Sequence, residues 1–131
     1  MKNITILFVD DEPGIRKTVS LGLEDLGMKV ITAESGEEAL EILNTLEPDL
    51  IIADLRMQPM NGFDFFQHVK NISKLKTTPF FFLTAVDDLI AKKYSDNLGA
   101  DAYITKPIDV DELYEIIVSK LSKEPKGDKQ T

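Results

Sequence analysis

The chain of 131 residues has no cysteine and no tryptophan, and its one histidine is His68. Without thiols there can be no disulfide, no thiolate ligand and no cysteine nucleophile. A lone imidazole has no second nitrogen or sulfur donor with which to build a zinc site. His68 lies beside Val69 on the polar flank of an amphipathic stretch and reads as a solvated helix-face residue. No apolar run reaches the ~20 residues a membrane-spanning helix requires, and no signal-peptide pattern opens the chain, so no membrane partner and a cytoplasmic location are expected. Positive charge is also scarce, with 15 Lys and Arg against 23 Asp and Glu and a formal net charge of −8. That balance repels phosphate backbones and argues against direct nucleic-acid binding by this stretch, while it suits a divalent cation.

The apolar content, 43%, is enough for one domain with one substantial core. Short apolar runs rich in β-branched and aromatic residues alternate with stretches of helical period. Strands are expected at Ile4–Val9, Lys29–Ala33, Leu50–Asp54, Phe80–Thr84 and Ala102–Thr105. Five helices are expected between and after them. The first carries Ile15, Val19, Leu23 and Leu26. The second opens at Ser35, with Glu38 three residues on in the manner of a capping box, and carries Ala39, Leu43 and Leu46. The third starts near Asn61–Gly62 with Phe66, Val69 and Ile72. The fourth spans about Asp87 to Asn97 and stops at Gly99. The fifth follows Asp109 as a cap and carries Leu113, Ile117 and Leu121. Phe63–Phe66 and Phe80–Phe82 are expected to pack the core. Continuously apolar strands in a βα alternation define a parallel sheet covered on both faces, a three-layer doubly wound α/β fold. Residues 1–121 form the expected domain. The polar segment 122–131, SKEPKGDKQT, reads as a tail or as the start of a linker.

One feature of the first strand is anomalous. ITILFV is followed at once by Asp10, Asp11, Glu12 and Pro13, three adjacent carboxylates that repel one another unless a cation sits among them. In a parallel sheet all carboxyl ends share one edge, where ligands bind. That edge collects Asp10 and Asp11 from strand one, Asp54 from strand three, Thr84 from strand four and Lys106 after strand five. Oxygen donors without His or Cys select a hard cation such as Mg²⁺. A cation, an ammonium and a hydroxyl together fit a phosphoryl group, with a carboxylate as nucleophile. Asp54, the single acid ending a central strand, is the expected nucleophile, and Asp10 and Asp11 the pair suited to the metal. Taken singly, the acidic run could instead cap the first helix; the conjunction at the strand ends favours the functional reading.

The stretches FVDDEP, DLRMQPMNGF, FFFLTA and DAYITKP resemble the motifs of two-component response-regulator receiver domains, in the family's order and spacing over residues 4–121. The resemblance implies a flavodoxin-like strand order 2-1-3-4-5 and a phosphorelay switch rather than a turnover enzyme. It implies a sensor histidine kinase or phosphotransfer protein as donor, phosphorylation of Asp54, and slow autodephosphorylation. By match to the motif, Asp11, Asp54 and the backbone carbonyl of Arg56 would bind Mg²⁺ directly and Asp10 through water. Lys106, before a cis bond to Pro107, would meet the phosphoryl oxygens, Thr84 would hydrogen-bond to one, and Tyr103 would turn inward as the switch aromatic. Glu12, Ala85, Val86 and Pro107 would line the site. The implied output surface is the face of the fourth helix, fifth strand and fifth helix, with Lys92, Lys93 and Tyr94, for an output partner or a homodimer. Met57-Gln58-Pro59 departs from the usual Met-Pro-Gly, which bears on the loop near the Arg56 carbonyl and so on metal affinity. An Asp-nucleophile phosphohydrolase would need an acid at position 56, where this chain has Arg. A phosphate-independent module of the same fold is the alternative.

Overall fold

The structure, a computed structural model, describes residues 3–85, 93 and 99–122. Its strands are β1 (Thr5–Val9), β2 (Lys29–Ala33), β3 (Leu50–Asp54), β4 (Phe80–Ala85) and β5 (Ala102–Lys106). The α-helices among the described residues are α1 (Pro13–Asp25), α2 (Gly36–Ile42), α3 (Gly62–Lys70) and α4 (Val110–Ser122), with a short 3₁₀ turn at Ser73–Leu75. All strand pairs are parallel, in the order β2-β1-β3-β4-β5 that the resemblance implied. The fourth expected helix falls outside the described residues except for Lys93, which is helical and exposed. Most of the polar tail, 123–131, lies outside them too.

The period of two along each strand divides the core into two layers. Ile6 and Phe8 of β1, Leu50 and Ile52 of β3, and Phe81 and Leu83 of β4 meet Val19 and Leu23 of α1 and Leu113 and Ile117 of α4. The alternate residues Leu7, Val9, Ile51, Ala53, Phe80 and Phe82 meet Ala39 of α2 and Phe65, Phe66 and Val69 of α3. Both sets are buried, which explains why the runs Ile6–Val9, Leu50–Ala53 and Phe80–Leu83 are continuously apolar. The phenylalanines pack as expected: Phe66 stands edge-on to Phe80 with ring centroids 4.9 Å apart, and Phe80 and Phe82 lie 5.0 Å apart.

Helix starts follow the polar residues that precede them. The Ser35 hydroxyl accepts from the Glu38 N–H at 3.0 Å, while the Glu38 carboxylate accepts from the Glu34 N–H at 2.8 Å, one residue earlier than a standard capping box. Asn61 Oδ1 accepts from the Asp64 N–H at 2.9 Å, and Asp109 Oδ1 from the Glu112 N–H at 3.2 Å. At the opposite edge of the sheet, Asp49 and Asp101 accept from the first N–H groups of β1 and β4, Thr5 and Phe80, at 2.8 and 2.9 Å.

The approach of α3 to the end of β3 depends on a missing side chain. A Cβ on Gly62 would run into the carbonyl oxygen of Asp54 and stand 2.8 Å from Leu55 Cα, both backbone atoms. The Gly62 N–H donates to the Leu55 carbonyl at 3.0 Å, tying the helix start to the residue after Asp54. Gly62→Ala is therefore expected to lower stability by about 2 kcal/mol, the scale of overpacking a close contact. Gly14→Ala, where a Cβ meets nothing within 4 Å, should leave stability unchanged or raise it by up to about 1 kcal/mol. Urea unfolding of both variants checks the contrast, and equal midpoints would contradict it.

Candidate functional site

The sheet's carboxyl edge gathers the side chains expected there. Asp10 continues the β1–β2 ladder, its N–H donating to the Ala33 carbonyl at 3.1 Å. Its side chain is fully buried, as are those of Asp54 and Thr84 nearly so. Each acid is oriented by a backbone N–H two residues ahead: Asp10 Oδ1 accepts from Glu12 at 2.9 Å and Asp54 Oδ1 from Arg56 at 3.1 Å. Their second oxygens face Lys106. The ammonium lies 2.7 Å from Asp54 Oδ2, 3.1 Å from Glu12 Oε1 and 3.2 Å from Asp10 Oδ2.

Charge and burial oppose one another here. Desolvation chiefly raises the pKa of Asp10, helped by the nearby Asp54 charge and opposed by the Glu12 N–H and by Lys106. Burial works against the ammonium of Lys106 as well. It is outweighed by the hydrogen bond and charge of Asp54, with Asp10 and Glu12 added, so Lys106 titrates above an ordinary lysine. Lys106 is thus a fixed cation at neutral pH.

Asp10, Glu12 and Asp54 offer carboxylate oxygens that all lie within 4.8 Å of one another. Asp10 Oδ2 is buried with no hydrogen bond; the ammonium at 3.2 Å attracts it without hydrogen-bond alignment. A buried carboxylate oxygen left over in an all-oxygen acidic pocket fits a hard divalent cation.

The remaining expected residues are distributed as follows. Asp11, expected to be a direct ligand, is exposed and lies outside the group of three acids. Arg56 is exposed and follows Asp54 by two residues. Thr84 Oγ1 donates to the Ala85 carbonyl at 3.4 Å, a long contact. Thr84 stands beside Thr105 in the β4–β5 register, and Ala85, exposed, beside Lys106. Tyr103 is half-buried against the α2–α3 layer, beside Phe82. Pro107 is exposed and its peptide with Lys106 is cis. The Gln58–Pro59 peptide is cis as well, which the sequence did not suggest, yet Asn61 and Gly62 keep their places at the start of α3. Val86 lies outside the described residues. His68 is exposed on α3, away from this chemistry.

Arg16 was missed. Its guanidinium donates to the Asp10 carbonyl at 2.8 Å and reaches Glu34 at 4.0 Å, tying the end of β1 to α1. A basic residue one helical turn after the acidic run was the available signal. Glu12, expected only to line the site, contacts the ammonium directly.

A buried aspartate at the end of a central parallel strand, acidic residues beside it and a lysine reaching over from β5 sit together at the carboxyl edge of a flavodoxin-like α/β fold. The chain matches the response regulator receiver domain over residues 6–118. It is 37% identical to the transcriptional regulatory protein GlrR of Escherichia coli over 118 residues, 90% of this chain and 26% of that protein. With the response regulator Rre1 of Synechocystis it shares 36% identity over 122 residues, 92% of this chain and 53% of the other. Its fold superposes on the chemotaxis response regulator CheY4 of Vibrio cholerae with a TM-score of 0.84 and 34% identity, covering 91% of this chain and 99% of that one. A putative response regulator from Chloroflexus aurantiacus gives a TM-score of 0.87 at 33% identity, covering 92% and 99%. The chain belongs to the response-regulator receiver family and is a receiver domain of two-component signalling. It spans only about a quarter to a half of the length of these two curated relatives. No described helix is long and apolar enough to cross a membrane.

The raised pKa of Asp10 fixes the sign of a pH effect. A carboxyl that holds its proton more tightly when folded favours the fold most below the unfolded pKa, about 3.9, and that contribution is lost as pH rises through the folded value. Asp10→Asn should therefore be more stable than the wild type at pH 7, with the difference shrinking as pH falls towards 4. Denaturation midpoints across this range check the sign; an Asn variant that is less stable at pH 7 would contradict it.

Proposed function

We propose that Asp54 is the phospho-acceptor, and that a histidine kinase or phosphotransfer protein is the donor. The observation that carries this reading is the 2.7 Å contact between Asp54 Oδ2 and the ammonium of Lys106 at the buried end of β3. The Asp54 carboxylate attacks the donor's phosphorus. A phosphorus–oxygen bond forms, the bond to the donor breaks, and its electron pair leaves with the donor. Lys106 then turns from carboxylate to phosphoryl oxygen, offsetting the developing charge. Asp54, Asp11 and the Arg56 carbonyl, with Asp10 through water, are the groups proposed to hold Mg²⁺, which supplies further charge stabilisation when bound. Water hydrolyses the acyl phosphate slowly, with Ala85, Val86 and Arg56 tuning access.

The switch is proposed to run through Thr84 and Tyr103. Thr84 moves towards a phosphoryl oxygen and Tyr103 turns into the space released, biasing a two-state equilibrium. The output surface for a partner or a second copy is proposed to include β5 and α4. Residues 1–121 form the receiver unit, acting in the cytoplasm where a kinase supplies it, and 122–131 are a tail or a connection to an output domain.

Incubation with acetyl phosphate and Mg²⁺, followed by intact-mass measurement, tests the assignment. One phosphoryl group should be gained by the wild type, with less than about a tenth of that in Asp54→Asn or without Mg²⁺. Equal gain in the Asn variant would remove Asp54 from the role.

A further inference from the structure

Glu12 occupies the N-cap position of α1, but its carboxylate makes no capping hydrogen bond. Glutamate is a poor N-cap, and its longer side chain is directed elsewhere. Here it goes to Lys106, accepting from the ammonium at 3.1 Å. An ammonium has three N–H donors; this one donates to Asp54 and Glu12 and has Asp10 Oδ2 at 3.2 Å without a hydrogen bond. A phosphoryl oxygen that approaches Lys106 from solvent meets the Glu12 carboxylate, the more exposed of its two hydrogen-bond partners.

The three acids differ in freedom. Asp10 and Asp54 are buried and each is pinned by a backbone N–H. Glu12 has a fixed backbone, its carbonyl accepting from the Arg16 N–H at 3.1 Å, but its side chain is 59% exposed. It also borders an open cleft of about 560 Å³ shared with Pro13, Ile15, Lys106 and Pro107. Glu12 thus stands between solvent and the ammonium, and it alone of the three is free to swing out.

We propose that Glu12 is a specificity-determining residue: its carboxylate holds the place on Lys106 that an incoming phosphoryl oxygen must take, and so restrains reaction with small anionic phosphodonors. This rests on the phospho-acceptor reading above. Displacing Glu12 exchanges one anion for another on the same ammonium, and the like charge of donor and Glu12 opposes the approach.

The test is the phosphorylation rate with acetyl phosphate, followed by intact mass, with Mg²⁺ held at saturation so that altered cation affinity does not enter. Glu12→Gln removes the charge. Glu12→Asp keeps the charge but is one methylene shorter and withdraws from the ammonium. Glu34→Gln makes the same charge change on an exposed acid whose cation is Arg16. Both Glu12 variants should react faster than the wild type, by about three- to tenfold, with the gain in apparent donor affinity, while Glu34→Gln stays within about twofold. Acceleration in Glu12→Gln alone would make the effect one of general charge, and no acceleration in either would remove Glu12 from the role. A wild type that gains no phosphoryl group would instead sink the phospho-acceptor reading on which the inference stands.

Discussion

The ammonium of Lys106 is the interaction on which the site depends. Parallel pairing delivers Asp10 and Asp54 to the same edge of the sheet, both out of solvent, and α1 adds Glu12 beside them. Two buried carboxylates at such range would drive one another towards the neutral form. Lys106, from the far strand β5, lies within 3.2 Å of all three acids. Removing the ammonium would leave the buried carboxylates uncompensated, a costly change even where such a set adds little net stability. The arrangement combines one fixed positive charge, one buried oxygen without a hydrogen bond, and one carboxylate held by a backbone N–H with its other oxygen against the ammonium.

The scaffold makes this placement possible. Both faces of β1, β3 and β4 are covered, and Asp54 and Thr84 stand at their carboxyl edge. The Phe66, Phe80 and Phe82 rings fix α3 against β4, and Gly62 lets the start of α3 lie against the Asp54 backbone. Arg16 performs the corresponding task for β1 by binding the Asp10 carbonyl. The backbone that carries the acids is thus tied to two helices, by the Arg16 guanidinium of α1 and the Gly62 N–H of α3.

Much of this was legible in the sequence. The continuously apolar runs Leu50–Ala53 and Phe80–Leu83 could only be doubly covered strands, and that demanded helices on both sides. Ser35, Asn61 and Asp109 marked helix starts through a local mechanism that needs no tertiary information. The convergence of Asp10, Asp54, Thr84 and Lys106 followed from parallel topology alone. What escaped was side-chain direction. Residues 10, 11 and 12 are consecutive, and whether Asp11 or Glu12 turns towards the ammonium depends on how the chain leaves β1 and enters α1. In the structure Glu12 contacts the ammonium, and Asp11 is exposed. Arg16 escaped for the same reason: a helix position fixes a face, while the partner, a backbone carbonyl, has no signature in residue type.

In the proposed site the ammonium and a divalent cation would share the carboxylates of Asp54 and Asp10. Calorimetric titration of Mg²⁺ into the wild type and into Lys106→Met tests this most directly. Several-fold tighter binding in the Met variant is the predicted result, because the same oxygens then lack their resident cation. Equal affinity in the two proteins, or no Mg²⁺ binding by either while both are folded, would contradict it.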